Sequence, residues 1–116
     1  MNPGDIGWAI AAGADFVVSA RGFMFALGCI QVLRCKRNTC PTGITIHNSR
    51  FQKALVVADK KDRVAHYATA IVKKLETIAH SVGVSEPRKL SREHVPLVQP
   101  DGKSVPMDEL YPSHVR

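Results

Sequence analysis

One segment limits what this chain can fold into: Asp15-Phe16-Val17-Val18-Ser19 is its only run that reads as a buried strand. Phe16, Val17 and Val18 are consecutive apolar residues rather than alternating ones, which suits a strand covered on both faces in a parallel sheet. Helical segments bracket it. In the first, Asn2 is a cap, Pro3 fills the first position, Asp5 lies three residues after the cap, and Gly13 stands ready to close the C-terminal end. Ile6, Ala9 and Ile10 recur there at helical spacing. The second helix is expected over about Gly22 to Arg34. Phe23, Met24, Phe25, Ala26, Leu27, Ile30, Val32 and Leu33 make it apolar almost all round, so it is expected to be buried. A helix, a tight turn and a buried strand are half of a βαβ unit, and the other half would precede Met1.

At 116 residues the chain is sized for one domain. A closed (β/α)8 barrel takes about 250 residues, so one strand of a barrel fits here and eight do not. Cys35 to Val57 is punctuated by Pro41 and Gly43 and reads as loop. A long amphipathic helix is expected over Lys60 to Val82, capped by Asp59 and closed by Gly83. Its stripe of Val64, Ala68, Ile71, Leu75, Ile78 and Val82 reads as core-facing, with a partner-binding face as the alternative. In the tail, Ser85-Glu86-Pro87 starts a short helix, and Pro100-Asp101-Gly102 turns between Leu97-Val98 and Ser104-Val105 as a hairpin. Asp108 to Leu110 can form one helical turn.

Composition is that of an ordinary globular protein, 45% hydrophobic and 22% charged, which excludes a disordered or collagen-like chain. The formal charge of +6 favours anionic partners, against the plainer reading of a solvated basic surface. No basic residue precedes Arg21, so a secretory leader is not expected. The most apolar stretch, Gly22 to Leu33, is 12 residues, too short to span a bilayer. A cytoplasmic setting follows as the expectation, where thiols stay reduced.

Cys29, Cys35 and Cys40 have the spacing C-x5-C-x4-C. Separate buried thiols, a zinc site with His47 as the fourth ligand, and an iron–sulfur cluster all remain open on spacing alone. A disulfide with one thiol left over suits a reducing cell least. Between Asp15 and Asp59 there is no acidic residue, while Arg21, Arg34, Lys36, Arg37, Arg50 and Lys53 fall in that stretch. Cations there would offset the negative charge of a thiolate assembly. Seven residues upstream of Cys29, Ser19-Ala20-Arg21-Gly22 lies where the strand hands over to a helix. Free N–H groups at such a turn bind phosphate, and Arg21 adds a forked cation; an ordinary capped turn is the plainer reading. The other histidines, His66, His80, His94 and His114, show no ligand spacing and read as surface or packing residues.

Two segments carry a family resemblance. One is Gly13-Ala14-Asp15-Phe16-Val17-Val18-Ser19-Ala20-Arg21-Gly22-Phe23-Met24-Phe25-Ala26-Leu27-Gly28-Cys29-Ile30, and the other is Cys35-Lys36-Arg37-Asn38-Thr39-Cys40-Pro41-Thr42-Gly43-Ile44. Together they resemble the end of the FMN-binding barrel domain of the glutamate synthase large subunit. Ile78 to Val84 and Ser104 to Tyr111 also look like that family. The resemblance implies an α/β chain that is the C-terminal part of a (β/α)8 barrel, its last helix–strand–helix, followed by a cysteine loop and a mostly helical tail. Residues 1–57 would be the barrel end with the cysteine loop, and 58–116 a helical extension of the same domain.

By the same resemblance, Cys29, Cys35 and Cys40 correspond to thiolate ligands of a [3Fe–4S] cluster. Ser19, Ala20, Arg21 and Gly22 correspond to a loop that contacts the FMN phosphate. The family makes L-glutamate from 2-oxoglutarate and glutamine-derived ammonia, with electrons passing from cluster to FMN and hydride from reduced FMN to 2-iminoglutarate. The implied partners are the remainder of the barrel, on the same or a separate chain, and an electron donor, either ferredoxin or a nicotinamide-linked subunit. Too little of the barrel is present for this chain to catalyse the reaction alone, so no catalytic residue is expected in it. A small basic zinc module that binds RNA is the competing reading, and a non-catalytic interaction domain with structural thiols is a third.

Overall fold

The structure is a computed structural model and describes residues 2–112. Its elements are mostly helical, with one two-stranded sheet. The chain divides into two compact units, one of residues 1–18 and 71–116 and the other of residues 19–70.

The first unit opens with α1 (Pro3–Ala12). Its start is set by a reciprocal pair: Asn2 Oδ1 accepts from the Asp5 N–H at 2.9 Å, and Asp5 Oδ2 accepts from the Asn2 N–H at 2.9 Å. Two N–H groups that a helix start leaves without partners are thereby satisfied. Gly13 ends the helix in the left-handed region, as the sequence predicts. The buried face of α1 carries Ile6, Gly7 and Ala11. Ala11 packs with Ala79 and Leu90, and Ile10, Val84 and Val95 close around that cluster.

Residues 15–19 form no strand. This corrects the expectation of a buried strand: Phe16 is 79% exposed and Val18 76% exposed. A strand is held by hydrogen bonds to a neighbour, and among the described residues the single sheet lies elsewhere. That sheet is the hairpin of the tail, β1 (Pro96–Val98) against β2 (Ser104–Pro106), antiparallel with Leu97 opposite Val105. The Pro100-Asp101-Gly102 segment turns between them, with the Gly102 N–H on the Gln99 carbonyl at 2.9 Å. Pro87–Lys89 and Arg92–His94 are single 3-10 turns, and α5 (Met107–Leu110) is one helical turn. His94 is half-buried, its Nδ1 2.7 Å from Ser91 Oγ in the cap of its turn. His66 and His80 are exposed, and His114 lies outside the described residues.

The second unit contains α2 (Arg21–Leu27), α3 (Ser49–Gln52) and the start of α4 (Val57–Ser81), which runs on into the first unit. Two expectations change here. α2 stops at Leu27 instead of reaching Arg34, because Gly28 adopts φ 105° and its N–H bonds back to the Phe25 carbonyl. Nor is the apolar run buried: Phe25 is 42%, Ile30 63% and Leu33 82% exposed. α4 begins earlier than expected, at Val57, so Asp59 sits in its first turn instead of capping it. Leu75 and Ala79 are its buried residues, and Val82 at the end of the expected stripe is 38% exposed.

Candidate functional site

The cysteine segment is a loop built from local turns. Gly28 ends α2, and the Cys29 N–H then bonds to the Met24 carbonyl at 3.0 Å, so the first thiol sits just beyond a helix C-terminus. Cys35 opens a 3-10 turn that Asn38 closes in the left-handed region. The Asn38 side chain then accepts the His47 N–H at 2.9 Å, which pins two parts of the loop together. Gly43 is buried with φ 75°, and a Cβ placed there would overlap the Phe51 carbonyl oxygen and stand 3.2 Å from Gln52 Cα. Only glycine lets the Cys40-Pro41-Thr42-Gly43 turn lie this close to the backbone of α3.

Gln31, Leu33 and Asn38 have φ of 52°, 56° and 53°, the positive-φ residues other than glycine among those described. All three fall between Cys29 and Cys40. A side chain in that region costs energy, and such costs gather where a site needs a particular backbone.

This backbone brings Cys29, Cys35 and Cys40 onto the wall of one cavity of about 300 Å³. All three thiols are free: Cys40 is buried, Cys29 half-buried and Cys35 exposed. Met24, Phe25, Ile30, Val32, Leu33 and Ile44 supply an apolar wall, and Ala20 and Arg21 stand on the same wall. Among the described residues no three His, Cys, Asp or Glu side chains are grouped so as to hold a single metal ion. His47 is exposed and is not among the residues lining the cavity. A multi-iron cluster asks for something else: one thiolate per iron, spread around a cavity, in apolar surroundings with hydrogen bonds to sulfur. Three thiols on a largely apolar wall are donors of the type such a cluster takes.

Cys40 carries such a hydrogen bond. Its Sγ lies 3.1 Å from Thr42 Oγ1. That hydroxyl is the largest of the causes that lower the Cys40 thiol from 9.0 to about 7; the Thr42 and Thr45 backbones and the Thr45 hydroxyl add to it, and burial opposes them. Among the described residues two buried hydroxyls complete no hydrogen bond of good geometry, Ser19 Oγ in the first of the two family-like segments and Thr45 Oγ1 one residue past the second.

The Ser19-Ala20-Arg21-Gly22 turn leads into α2 with no side-chain cap, leaving its first N–H groups without a side-chain acceptor. Arg21 and Ala20 are exposed, Ser19 is half-buried and Gly22 buried. The space beside Gly22 belongs to Tyr67, whose hydroxyl a Cβ at Gly22 would overlap. The Tyr67 ring also packs edge-on to Phe23, with centroids 5.2 Å apart. Gly22 therefore leaves room for the tyrosine hydroxyl.

Sequence reasoning missed Tyr67, and it missed Lys60 and Arg63. From α4, Lys60 Nζ and Arg63 Nη1 reach within 3.7 Å of where a Gly28 side chain would stand, one residue before Cys29. Cations at the C-terminal end of α2 complement its dipole, and Lys60 Nζ also pairs with Asp59 at 3.3 Å. The signal was a pair at i and i+3 on a helix, but nothing local says which element that face meets.

Among the described residues no helix is long and apolar enough to cross a membrane. No solved structure matches the chain. It is 41% identical over 110 residues, 95% of its own length, to the glutamate synthase large subunit-like protein YerD of Bacillus subtilis (strain 168). It spans about a fifth of that relative, 21% of its length. The family defined by the conserved region in glutamate synthase matches residues 1–85, a span that includes both the Ser19–Gly22 turn and the three cysteines. The chain therefore belongs to the glutamate synthase family.

Proposed function

We propose that this chain supplies Cys29, Cys35 and Cys40 as the thiolate ligands of a [3Fe–4S] cluster. Through Ser19, Ala20, Arg21 and Gly22 it also supplies part of an FMN phosphate site. Both would serve an oxidoreductase of glutamate synthase type that forms L-glutamate from 2-oxoglutarate and glutamine-derived ammonia. The observation that carries this reading is that three free thiols line one largely apolar cavity. The two buried hydroxyls, the left-handed backbone between Cys29 and Cys40, and the nearby Lys60 and Arg63 all support it.

When bound, the cluster supplies one-electron chemistry beside the flavin. The chain's own residues do the holding: thiolates bind iron, apolar side chains limit water, and cations balance the charge. Arg21 and the free N–H groups at the start of α2 would face the flavin phosphate. The rest of the barrel, in this chain or another, would bring the remaining flavin and substrate contacts, with ferredoxin or a nicotinamide-linked subunit donating electrons. By itself the chain would not turn over substrate. A reducing cytoplasm would keep the thiols available for iron.

Anaerobic reconstitution with iron and sulfide tests this. The expected product is brown, holds about three irons per chain and gives the low-temperature EPR signal of an oxidised three-iron cluster. Cys35→Ser should lose it. A colourless protein, or one that takes up stoichiometric zinc in preference, would overturn the reading.

A further inference from the structure

Thr42 and Thr45 stand close to Cys40 in sequence and line the same cavity as the three thiols. Thr42 Oγ1 is 3.1 Å from Cys40 Sγ. Once that sulfur is a thiolate it has no proton to give, so the hydroxyl is the donor. Thr45 Oγ1 is buried; it stands close enough to the Cys40 sulfur to favour the thiolate but completes no hydrogen bond of good geometry within the protein. A buried hydroxyl without a partner is costly, and buried polar groups are almost always satisfied by something. On this wall an acceptor is at hand, the Cys40 sulfur, whose ionised form the Thr45 hydroxyl favours. The Thr45 hydroxyl is shut off from water, and Ile44 lines the same cavity.

We propose that Thr42 and Thr45 are the positioning residues that set the reduction potential of the iron–sulfur centre. Both hydroxyls donate to the Cys40 sulfur, Thr42 at 3.1 Å and Thr45 from the same wall of the cavity. The inference rests on the cluster reading above. Reduction adds one electron to the sulfur-rich centre, and a hydrogen bond to sulfur stabilises the more negative, reduced form. Both donors therefore raise the potential, and losing either lowers it.

The test uses the full chain, reconstituted anaerobically, and an EPR-monitored redox titration. Thr42→Val and Thr45→Val keep the side-chain shape and remove the donor. Each is expected to reduce the ratio of reduced to oxidised centre up to about tenfold at a fixed solution potential, a downward shift of about 59 mV for a one-electron couple. Thr42→Ser and Thr45→Ser retain the hydroxyl and should stay near the unsubstituted value. Unchanged potentials in both valine variants would overturn the inference while leaving the cluster reading intact. Should a valine variant assemble no centre, the unsubstituted chain decides: its iron–sulfur stretching frequencies must shift when exchanged into D2O, and identical spectra refute the donors. If the unsubstituted chain takes up no iron, the parent reading has failed and this one falls with it.

Discussion

Cys40 shows how much chemistry a single hydroxyl controls. Its thiol is held at about 7, below the usual 9.0, chiefly by Thr42. A depressed acid stabilises the folded chain when ionised. Its contribution is fully present above pH 9 and is lost as pH falls through about 7. The metal-free chain should therefore unfold at lower denaturant on the acid side of that window. In Thr42→Val the thiol should ionise nearer its usual value, followed by ultraviolet thiolate absorbance against pH. An unchanged titration would show that Thr42 does not control the sulfur. Gly43 makes the matching steric case. Gly43→Ala adds a Cβ to a left-handed residue and drives it against the Phe51 carbonyl. Two separate penalties combine there, so a loss of at least about 2 kcal/mol is expected by chemical denaturation.

At the level of elements, α1 and α2 contrast. α1 has a reciprocal cap at one end, a left-handed glycine at the other, and a buried face. Its weak point is Gly7 in mid-helix, where a Cβ would lie 3.4 Å from Leu75 Cδ1 and 3.8 Å from Leu90 Cδ1, at ordinary contact distances. Gly7→Ala should therefore raise stability by about 0.5–1 kcal/mol, measured by thermal unfolding, because alanine loses less backbone freedom on folding. A lower melting temperature would mean the helix packs too tightly for a methyl group. α2, by contrast, is 7 residues long, lacks a side-chain cap, and buries only Gly22. Tyr67 against Phe23 and the cations beside Gly28 hold it in place within its unit.

Across the whole molecule, apolar residues that read as interior are left in water. Phe16 and Val18 are more than three-quarters exposed on a segment that forms no strand. Such a segment invites pairing with another chain. Replacing Phe16 and Val18 together by lysine should reduce self-association in sedimentation experiments and leave the melting temperature nearly unchanged, since little burial is lost. A marked fall in melting temperature would show instead that these side chains pack within the fold. Arg92 works in the opposite sense. Its guanidinium donates to the carbonyls of Ala12 and Tyr111, joining residues 80 and 19 positions away within one unit.

The features legible in sequence are those whose causes lie a few residues apart. Asn2 with Asp5 predicts the start of α1, and Pro100-Asp101-Gly102 predicts the hairpin turn, because cap and turn energies are local. The cysteine spacing was visible for the same reason. What tertiary structure alone decided depends on distant atoms. Phe16 to Val18 carry the pattern of a covered strand, yet a strand exists only when a neighbour pairs with it, and none of the described residues does so. Leu33 is as apolar as Leu75, but one is exposed and the other buried, because burial belongs to the surface an element meets. Thr45 is unremarkable in the sequence; only folding buries its hydroxyl on the wall that the three sulfurs share.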